Sequence, residues 1–147
     1  MKVAILADTH FGVRNDMPVF YPFFEKFYSD LFFPELKKRG IKQLIHLGDV
    51  CDRRRYINFN TLSHVRKVFF DPLRENGIET KIIIGNHDIY WRTTNELNSP
   101  NELFRMYENV ELFTEPEETK LFGLPCLVLP WINPTNYESA MELIQST

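Results

Sequence analysis

The stretch “KIIIGNHD” (residues 81–88) ends a run of three isoleucines on a glycine, an amide, an imidazole and a carboxylate. A short apolar run of this kind is typical of a buried β-strand, and Gly85 lets the backbone turn sharply where the strand stops. Asn86, His87 and Asp88 follow without an ordinary turn residue. We therefore expect this strand to present chemically active side chains at its carboxyl end.

Two earlier segments also consist of an apolar run that ends on polar residues. They are “KVAILADTH” (2–10) and “IKQLIHLGDVCD” (41–52). Between the three runs, apolar residues recur at helical spacing in 17–40 and in about 60–75. The order strand, helix, strand, helix, strand predicts an α/β fold with a parallel sheet. All three polar endings then meet at one edge, where open α/β folds bind ligands.

The patterns after residue 100 are weaker. “NELFRMYE” (101–108) predicts a short helix, and “VELF” (110–113) predicts a short strand. “KLFGLPCLVLPW” (120–131) predicts two strands around a Gly-Leu-Pro turn. Asn133 and Pro134 are typical of the N-cap and the first position of a final helix. The chain has 147 residues without a repeat or linker, so we expect it to lie within one domain.

The polar endings supply nitrogen and oxygen donors and no thiolate. Asp8 and His10 are two residues apart, so in extended backbone both side chains project the same way. Together with Asp49 and the amide oxygen of Asn86, they suit Mn, Fe or Zn better than Ca. Converging carboxylates repel each other unless cations lie between them. One carboxylate bridging two ions is an arrangement used for displacement at phosphorus, and Asp49, on the middle strand, is the natural bridge.

Three motifs carry a family resemblance. “DTH” (8–10), “GDVCDR” (48–53) and “GNHD” (85–88), in this order and spacing, resemble the first three motifs of the calcineurin-like metallophosphoesterase superfamily. Segments 85–113 and “LPWIN” (129–133) are similar to the repair nucleases of the SbcD type, most of all the phage recombination endonuclease subunit. The resemblance implies a parallel-core sheet with a βαβαβ start, flanked by helices, as an incomplete four-layer α/β/β/α architecture.

The resemblance also implies a set of metal ligands. Asp8 and His10 would hold a first metal ion. Asp49 would bridge this ion to a second, which Asn86 would also bind. The cofactors would be two divalent metal ions, with Mn as the most effective and Mg, Fe or Zn as other candidates.

The remaining residues of the motifs receive catalytic and structural roles by the same resemblance. His87 would protonate the leaving oxygen, and Asp52 would pair with His87 and orient it. An ordinary surface ion pair between Asp52 and Arg53 is the alternative for that carboxylate. We expect Asp88 to brace its loop by hydrogen bonds instead of binding metal.

The implied function is a hydrolase, specifically a metal-dependent DNA phosphodiesterase. As an exonuclease or endonuclease subunit of a recombination and repair complex, it would form a homodimer and work with an SMC-like ATPase. It would act in the cytoplasm, or in the host cytoplasm if phage-encoded, and not at a membrane. Two alternatives are a phosphoesterase for small-molecule or phosphoprotein substrates, and a truncated non-catalytic scaffold or dimerisation module with a half-built metal site.

The distribution of histidines departs from the family pattern. The family completes its site with three further histidines on later loops, whereas the four histidines of this chain end at His87. We therefore expect residues 1–147 to be the N-terminal portion of a longer nuclease domain, and the isolated chain to be poorly active. His46, inside a predicted strand, is expected to be a hydrogen-bonded core residue, and His64 an exposed helical one. Cys51 is expected to be a small half-buried residue.

A local basic cluster contrasts with the overall charge of −3. The protein has no global basic field for nucleic acid, but “DRRRY” (52–56) lies at the predicted active edge. Guanidinium groups pair well with phosphate, so Arg53, Arg54 and Arg55 are candidate substrate-binding residues, together with Arg14. The alternative for this cluster is a solvated loop, and its position at the active edge favours the substrate-binding role.

Overall fold

A four-stranded parallel sheet forms the centre of the protein in the computed structural model, which describes residues 1–146. Its strands are β1 (Ala4–Leu6), β2 (Gln43–His46), β3 (Glu79–Ile83) and β4 (Val110–Phe113), and they lie in that order across the sheet. Every neighbouring pair is parallel. The predicted α/β class and parallel topology are confirmed, and the carboxyl ends of β1 to β3 share one edge.

Two long helices connect the first three strands. The first covers 18–39 as Pro18–Phe20 (3₁₀), Tyr21–Lys26 (α), Phe27–Phe32 (π) and Phe33–Arg39 (α). The second covers 59–75 as Phe59–Val65 (α), Arg66–Phe70 (π) and Asp71–Glu75 (α). Both predicted crossover helices are therefore present, within one or two residues of the expected bounds.

A proline explains the π-helical turn in each crossover helix. Pro34 and Pro72 each follow a π-helical turn by two residues. The residue just before each proline donates its N–H to the carbonyl five residues earlier, from Phe33 to Tyr28 in the first helix. A proline ring clashes with the carbonyl four residues before it, and the wider turn relieves that clash.

The rest of the chain adds a short helix, a hairpin and a terminal helix. These elements are Ser99–Phe104 (α), β5 (Glu117–Leu121), β6 (Leu124–Val128) and Tyr137–Ser146 (α), and β5 and β6 pair as antiparallel strands. No helix within residues 1–146 combines the length and apolar character needed to cross a membrane.

Two local predictions in this region were wrong. The hairpin turns at Phe122 and Gly123, both at positive φ, so the predicted Gly-Leu-Pro turn is displaced. Positive φ at both central residues is the geometry that matches strand twist in a two-residue hairpin. The terminal helix begins at Tyr137, not after Asn133, because the side chain of Asn133 accepts the N–H of Thr135 in a preceding turn.

The sheet is covered on both faces. Leu44 and Ile82, on one face, belong to the main core, which the two crossover helices complete with an aromatic cluster. Ile45 and Ile83, on the other face, pack with residues of the β5–β6 hairpin in a second, smaller cluster. The protein thus has a helical layer, the parallel sheet and a hairpin layer.

His46 is a fully buried core residue, as expected. The N–H of Gly48 donates to Nδ1 (3.1 Å), so Nε2 carries the proton and donates to Thr9 Oγ1 (3.1 Å). Burial lowers the pKa of His46 from 6.5 to about 4. His64 was expected to be exposed, and this was wrong. Its ring is buried against Tyr21, with ring centroids 4.2 Å apart.

His46 makes stability depend on pH. Because its folded pKa is depressed, its contribution is complete above pH 6.5 and is lost as pH falls towards 4. Between pH ~7.5 and ~5 we expect wild type to lose about 2 kcal/mol of unfolding free energy relative to His46→Gln. Urea unfolding of both proteins in the presence of a chelator measures this. A parallel pH dependence in the two proteins would contradict the prediction.

Candidate active site

Backbone pairing continues beyond the ends of β1 and β2 and brings their polar residues together. The N–H of Asp8 donates to the carbonyl of Gly48 (3.1 Å), and the N–H of His10 donates to the carbonyl of Asp49 (3.0 Å). The two loops are thus held side by side, with the first carboxylate and imidazole beside the second loop's carboxylate. This juxtaposition depends on the parallel topology, not on closeness in sequence.

Asp8, His10 and Asp49 all have left-handed backbone. Their φ angles are 54°, 42° and 57°. Each such conformation costs on the order of 1 kcal/mol for a residue with a side chain, and it persists only where the surroundings enforce it. Three strained residues at adjacent strand ends indicate a site whose geometry is maintained at the expense of stability.

The side chains of these three residues form a compact donor set. His10 Nε2 lies 3.5 Å from Asp8 Oδ1 and 3.8 Å from Asp49 Oδ2. One ligand atom from each residue falls within 4.8 Å of the others. Two carboxylates and an imidazole at this spacing fit a divalent ion of the Mn, Fe or Zn type, because the cation would offset the repulsion between the carboxylates.

Asn86 lies beside this donor set. Together with Asp8, Asp49 and Trp131 it lines a cleft of about 530 Å³, which we call the Asn86 cleft. An amide oxygen in the same cleft as the Asp49 carboxylate fits the predicted second ion position. The predicted metal ligands are therefore all at one location.

A second group of donors, from His10, Asp52 and His87, also falls within 4.8 Å. His10 Nδ1 lies 3.3 Å from Asp52 Oδ1, although the geometry is not that of a hydrogen bond and the nitrogen is buried without a partner. His10 Nε2 points towards Asp8 and Asp49, whereas His10 Nδ1 points towards the Asp52 carboxylate. A carboxylate in that position is typical of a group that orients a metal-binding imidazole from behind. We therefore favour the first donor set as the metal site.

His87 contacts Asp52 differently from the prediction. Its Nδ1 lies 2.8 Å from the backbone carbonyl oxygen of Asp52, whereas the Asp52 carboxylate faces His10. A carbonyl only accepts, so Nδ1 carries a proton and Nε2 is left for proton exchange with a substrate. The backbone N–H of His87 donates to Asp49 Oδ1 (2.7 Å), which joins this residue to the donor set.

Asp88 lies beneath the site and is fully buried. Its carboxylate accepts the N–H groups of Asp49 (2.8 Å), Val50 (2.9 Å) and Gly85 (2.9 Å). Burial raises the pKa of Asp88 to about 6, and these three hydrogen bonds oppose the rise. The geometry is that of a brace between the ends of β2 and β3, in line with the loop-bracing role expected for Asp88.

Gly48 and Gly85 make the closest backbone approach at the site. A Cβ on Gly48 would lie 2.5 Å from the backbone nitrogen of Gly85, and a Cβ on Gly85 would lie 2.3 Å from Asp49 Oδ1. Gly48 also has a φ of +95°. Only glycine fits at either position without displacing the loops that carry the donors.

The arginines are not equivalent. Arg53 pairs with Asp16 (Nη1 to Oδ2, 3.1 Å) and with Asn15, so the charge of this candidate phosphate-binding residue is used within the protein. Arg54 and Arg55, with His87, line a cleft of about 480 Å³, which we call the His87 cleft. Arg14 is exposed and lines neither cleft.

Sequence reasoning missed two features near the site. Tyr90, Trp91 and Arg92 form one wall of the His87 cleft. The available signal was the sequence Tyr90-Trp91-Arg92, two adjacent aromatic residues and an arginine, which begins one residue after “GNHD”.

The second missed feature is a group of buried side-chain amides from Asn95, Asn133 and Asn136, which we call the amide network. All three donate to the carbonyl oxygen of Trp131, at 3.0, 3.3 and 3.2 Å. Asn95 Oδ1 also accepts from Asn133 Nδ2 (3.0 Å). The network ties the 89–98 loop to the Trp131 segment.

The fold agrees with comparisons to known proteins. Residues 1–145 match the calcineurin-like phosphoesterase family, and the chain belongs to that family. The family implies divalent metal ions, which the donor set fits. The whole chain is similar to exonuclease subunit 1 of Enterobacteria phage T4, with 27% identity over 154 aligned residues. The chain spans 43% of the length of that relative.

Proposed function

We propose that this protein is a metal-dependent phosphodiesterase that acts on DNA, as the nuclease subunit of a recombination or repair complex. The observation that carries the proposal is the donor set of Asp8, His10 and Asp49, within 4.8 Å, next to the imidazole of His87. The rings of His10 and His87 have centroids 4.8 Å apart, so a phosphate bound at the donors would lie beside the proton-donating imidazole.

The roles of the chain's residues follow from their contacts. Asp8, His10, Asp49 and Asn86 would hold two divalent ions, with Mn as the expected metal. When bound, these ions would supply the positive charge that stabilises the transition state and would lower the pKa of an attacking water. His87, with Nδ1–H held by the carbonyl of Asp52, would act in its doubly protonated form and give the Nε2 proton to the leaving oxygen, which leaves a neutral imidazole protonated at Nδ1.

DNA is the proposed substrate for two reasons. The similar phage protein is an exonuclease subunit. Arg54 and Arg55, in the His87 cleft, have no carboxylate within ion-pair distance among residues 1–146, so their charge is free for phosphate. This local charge is important because the net charge of −3 gives no general attraction to DNA.

The proposed assembly is a homodimer with an SMC-like ATPase subunit that supplies further grip on DNA. Helix 18–39 exposes Phe23 (70%) and Leu31 (58%), and this supports a subunit contact on that helix. If the protein is encoded by a phage, as its relative is, it would work in the host cytoplasm.

Replacing Asp49 by asparagine tests the metal site directly. Asparagine keeps the size of the side chain and the acceptor for the His87 N–H, but it removes the charge between the proposed ions. We expect Mn²⁺ affinity, measured by isothermal titration calorimetry, to fall about 100-fold or more.

Asp30→Asn is a matched control, because Asp30 is an exposed carboxylate on helix 18–39. It should leave the Mn²⁺ titration unchanged. Equal metal affinity in wild type and Asp49→Asn would remove the bridging role and, with it, the basis of the proposed function.

A further inference from the structure

The His87 cleft lies between two short segments, 52–56 and 90–92, and has His87 in its wall. Its volume is about 480 Å³. A smaller cavity of about 200 Å³ also borders 53–57, but His87 is not part of its lining. The larger cleft is therefore where a substrate group joined to the leaving oxygen would lie.

Uncompensated positive charge lines this cleft. Arg53 is neutralised by Asp16, but Arg54, Arg55 and Arg92 have no carboxylate within ion-pair distance among the residues described. The guanidinium of Arg55 lies over the ring of Tyr90, 5.5 Å from its centroid, and the Asp52 carboxylate also lines the cleft. Arg54 and Arg92 are therefore the guanidinium groups best placed to pair with phosphate.

Exposed aromatic rings accompany the arginines. Trp91 is 52% exposed and Tyr56 is 65% exposed. The ring of Trp91 is held edge-on by Tyr90, with centroids 4.5 Å apart and planes at 73°. The guanidinium of Arg53 lies 4.6 Å from the ring centroid of Tyr56. It covers one face of that ring, and the other face remains available for stacking.

Exposed aromatic faces next to free arginines are the combination that binds single-stranded nucleic acid. Every base has a flat face that stacks on such rings, and each phosphate pairs with a guanidinium. Bases within a duplex are already stacked on each other, so their faces cannot reach Trp91 or Tyr56. The ligand that can contact both the aromatic rings and the arginines of the cleft is therefore an unpaired nucleotide.

We propose that the His87 cleft holds the unpaired nucleotide on the leaving-group side of the scissile phosphate, with its base stacked on Trp91. Tyr56 would take a neighbouring base, and Arg54 and Arg92 would pair with flanking phosphates. This inference rests on the proposed DNA-cleaving function and specifies a single-stranded or locally unpaired substrate.

Tryptophan fluorescence provides a test that does not require cleavage. The chain has two tryptophans, Trp91 and Trp131, so Trp131→Phe leaves Trp91 as the reporter. We expect a single-stranded oligothymidylate of about eight nucleotides, added in chelator, to quench Trp91. An abasic oligomer of equal length should not quench it. The dissociation constant of a labelled oligothymidylate should rise about 5- to 150-fold in Trp91→Ala.

The outcomes separate this inference from the function on which it rests. Phe59→Ala, which removes an aromatic ring that is 86% exposed and lines neither the His87 cleft nor the Asn86 cleft, should bind the oligothymidylate like wild type. Binding that is equal in wild type and Trp91→Ala, without quenching, would overturn the stacking site and leave the nuclease function standing. An affinity for thymidine monophosphate equal to that for the oligothymidylate would assign the cleft to free nucleotides instead of a strand. No binding of any oligonucleotide by wild type would overturn both proposals.

Discussion

His87→Ala is expected to lower metal-dependent cleavage of a single-stranded oligonucleotide by about 10²- to 10⁴-fold, the contribution of a positioned acid. The Nδ1–H of His87 is held by the carbonyl of Asp52 at 2.8 Å, so Nε2 is the nitrogen available to a leaving oxygen. None of the other three histidines can replace it. His10 is one of the proposed metal ligands, His46 is hydrogen-bonded in the core, and His64 is buried against Tyr21. Single-turnover cleavage with saturating Mn²⁺ measures the loss.

The role of His87 as an acid has two independent checks. Mn²⁺ affinity by calorimetry should stay within about threefold of wild type, because His87 lies outside the favoured donor set. Added imidazole should restore part of the activity of His87→Ala by entering the space left by the ring. Full activity in His87→Ala would refute proton donation, and loss of metal binding would make His87 a ligand.

Gly48→Ala is expected to destabilise the protein by about 3 to 5 kcal/mol, a large share of the stability of a small domain. Two costs add together at this position. The backbone has a φ of +95°, which is strained for any residue with a Cβ. The new Cβ would also lie 2.5 Å from the backbone nitrogen of Gly85, and a backbone atom cannot rotate away. Urea denaturation in chelator gives the change in unfolding free energy.

Gly123→Ala separates these two costs. Gly123 has a similar φ of +85°, but nothing lies within 4 Å of the position of its Cβ. We expect a loss of about 1 to 2 kcal/mol there, from backbone strain alone. The excess loss in Gly48→Ala then measures the contact between the ends of β2 and β3. Equal losses of unfolding free energy in Gly48→Ala and Gly123→Ala would mean that the ends of β2 and β3 are not in close contact at Gly48.

The sheet edge was predictable because it follows from patterns of short range. Three apolar runs that alternate with two segments of helical periodicity are compatible with few topologies. Right-handed crossovers between them make the strands parallel, so all three polar endings lie at the same edge of the sheet. Asp8, Asp49 and Asn86 could therefore be placed together from sequence alone. The left-handed backbone of Asp8 and Asp49 and the pairing of their two loops could not be predicted, because both depend on contacts between loops that are distant in sequence.

The arginines show why the remainder of the site was not predictable. Arg53, Arg54 and Arg55 are identical in type and consecutive, yet only the first is neutralised. Its partner, Asp16, lies in a turn in which three consecutive residues have left-handed backbone, and a run of that kind is not predicted from sequence. In the same way, His64 is polar and mid-helix, but it is buried because Tyr21 of the other crossover helix stacks on it. Long-range packing decides both cases.

The amide network has a mechanical consequence. Trp91 belongs to the loop that carries Asn95, and Trp131 accepts three amide hydrogen bonds from the network. The two tryptophans border the clefts beside His87 and Asn86, so their separation is set by buried hydrogen bonds and not by a hinge. Because these hydrogen bonds hold the 89–98 loop in place before any ligand binds, the protein would meet little ordering cost when a strand reaches Trp91.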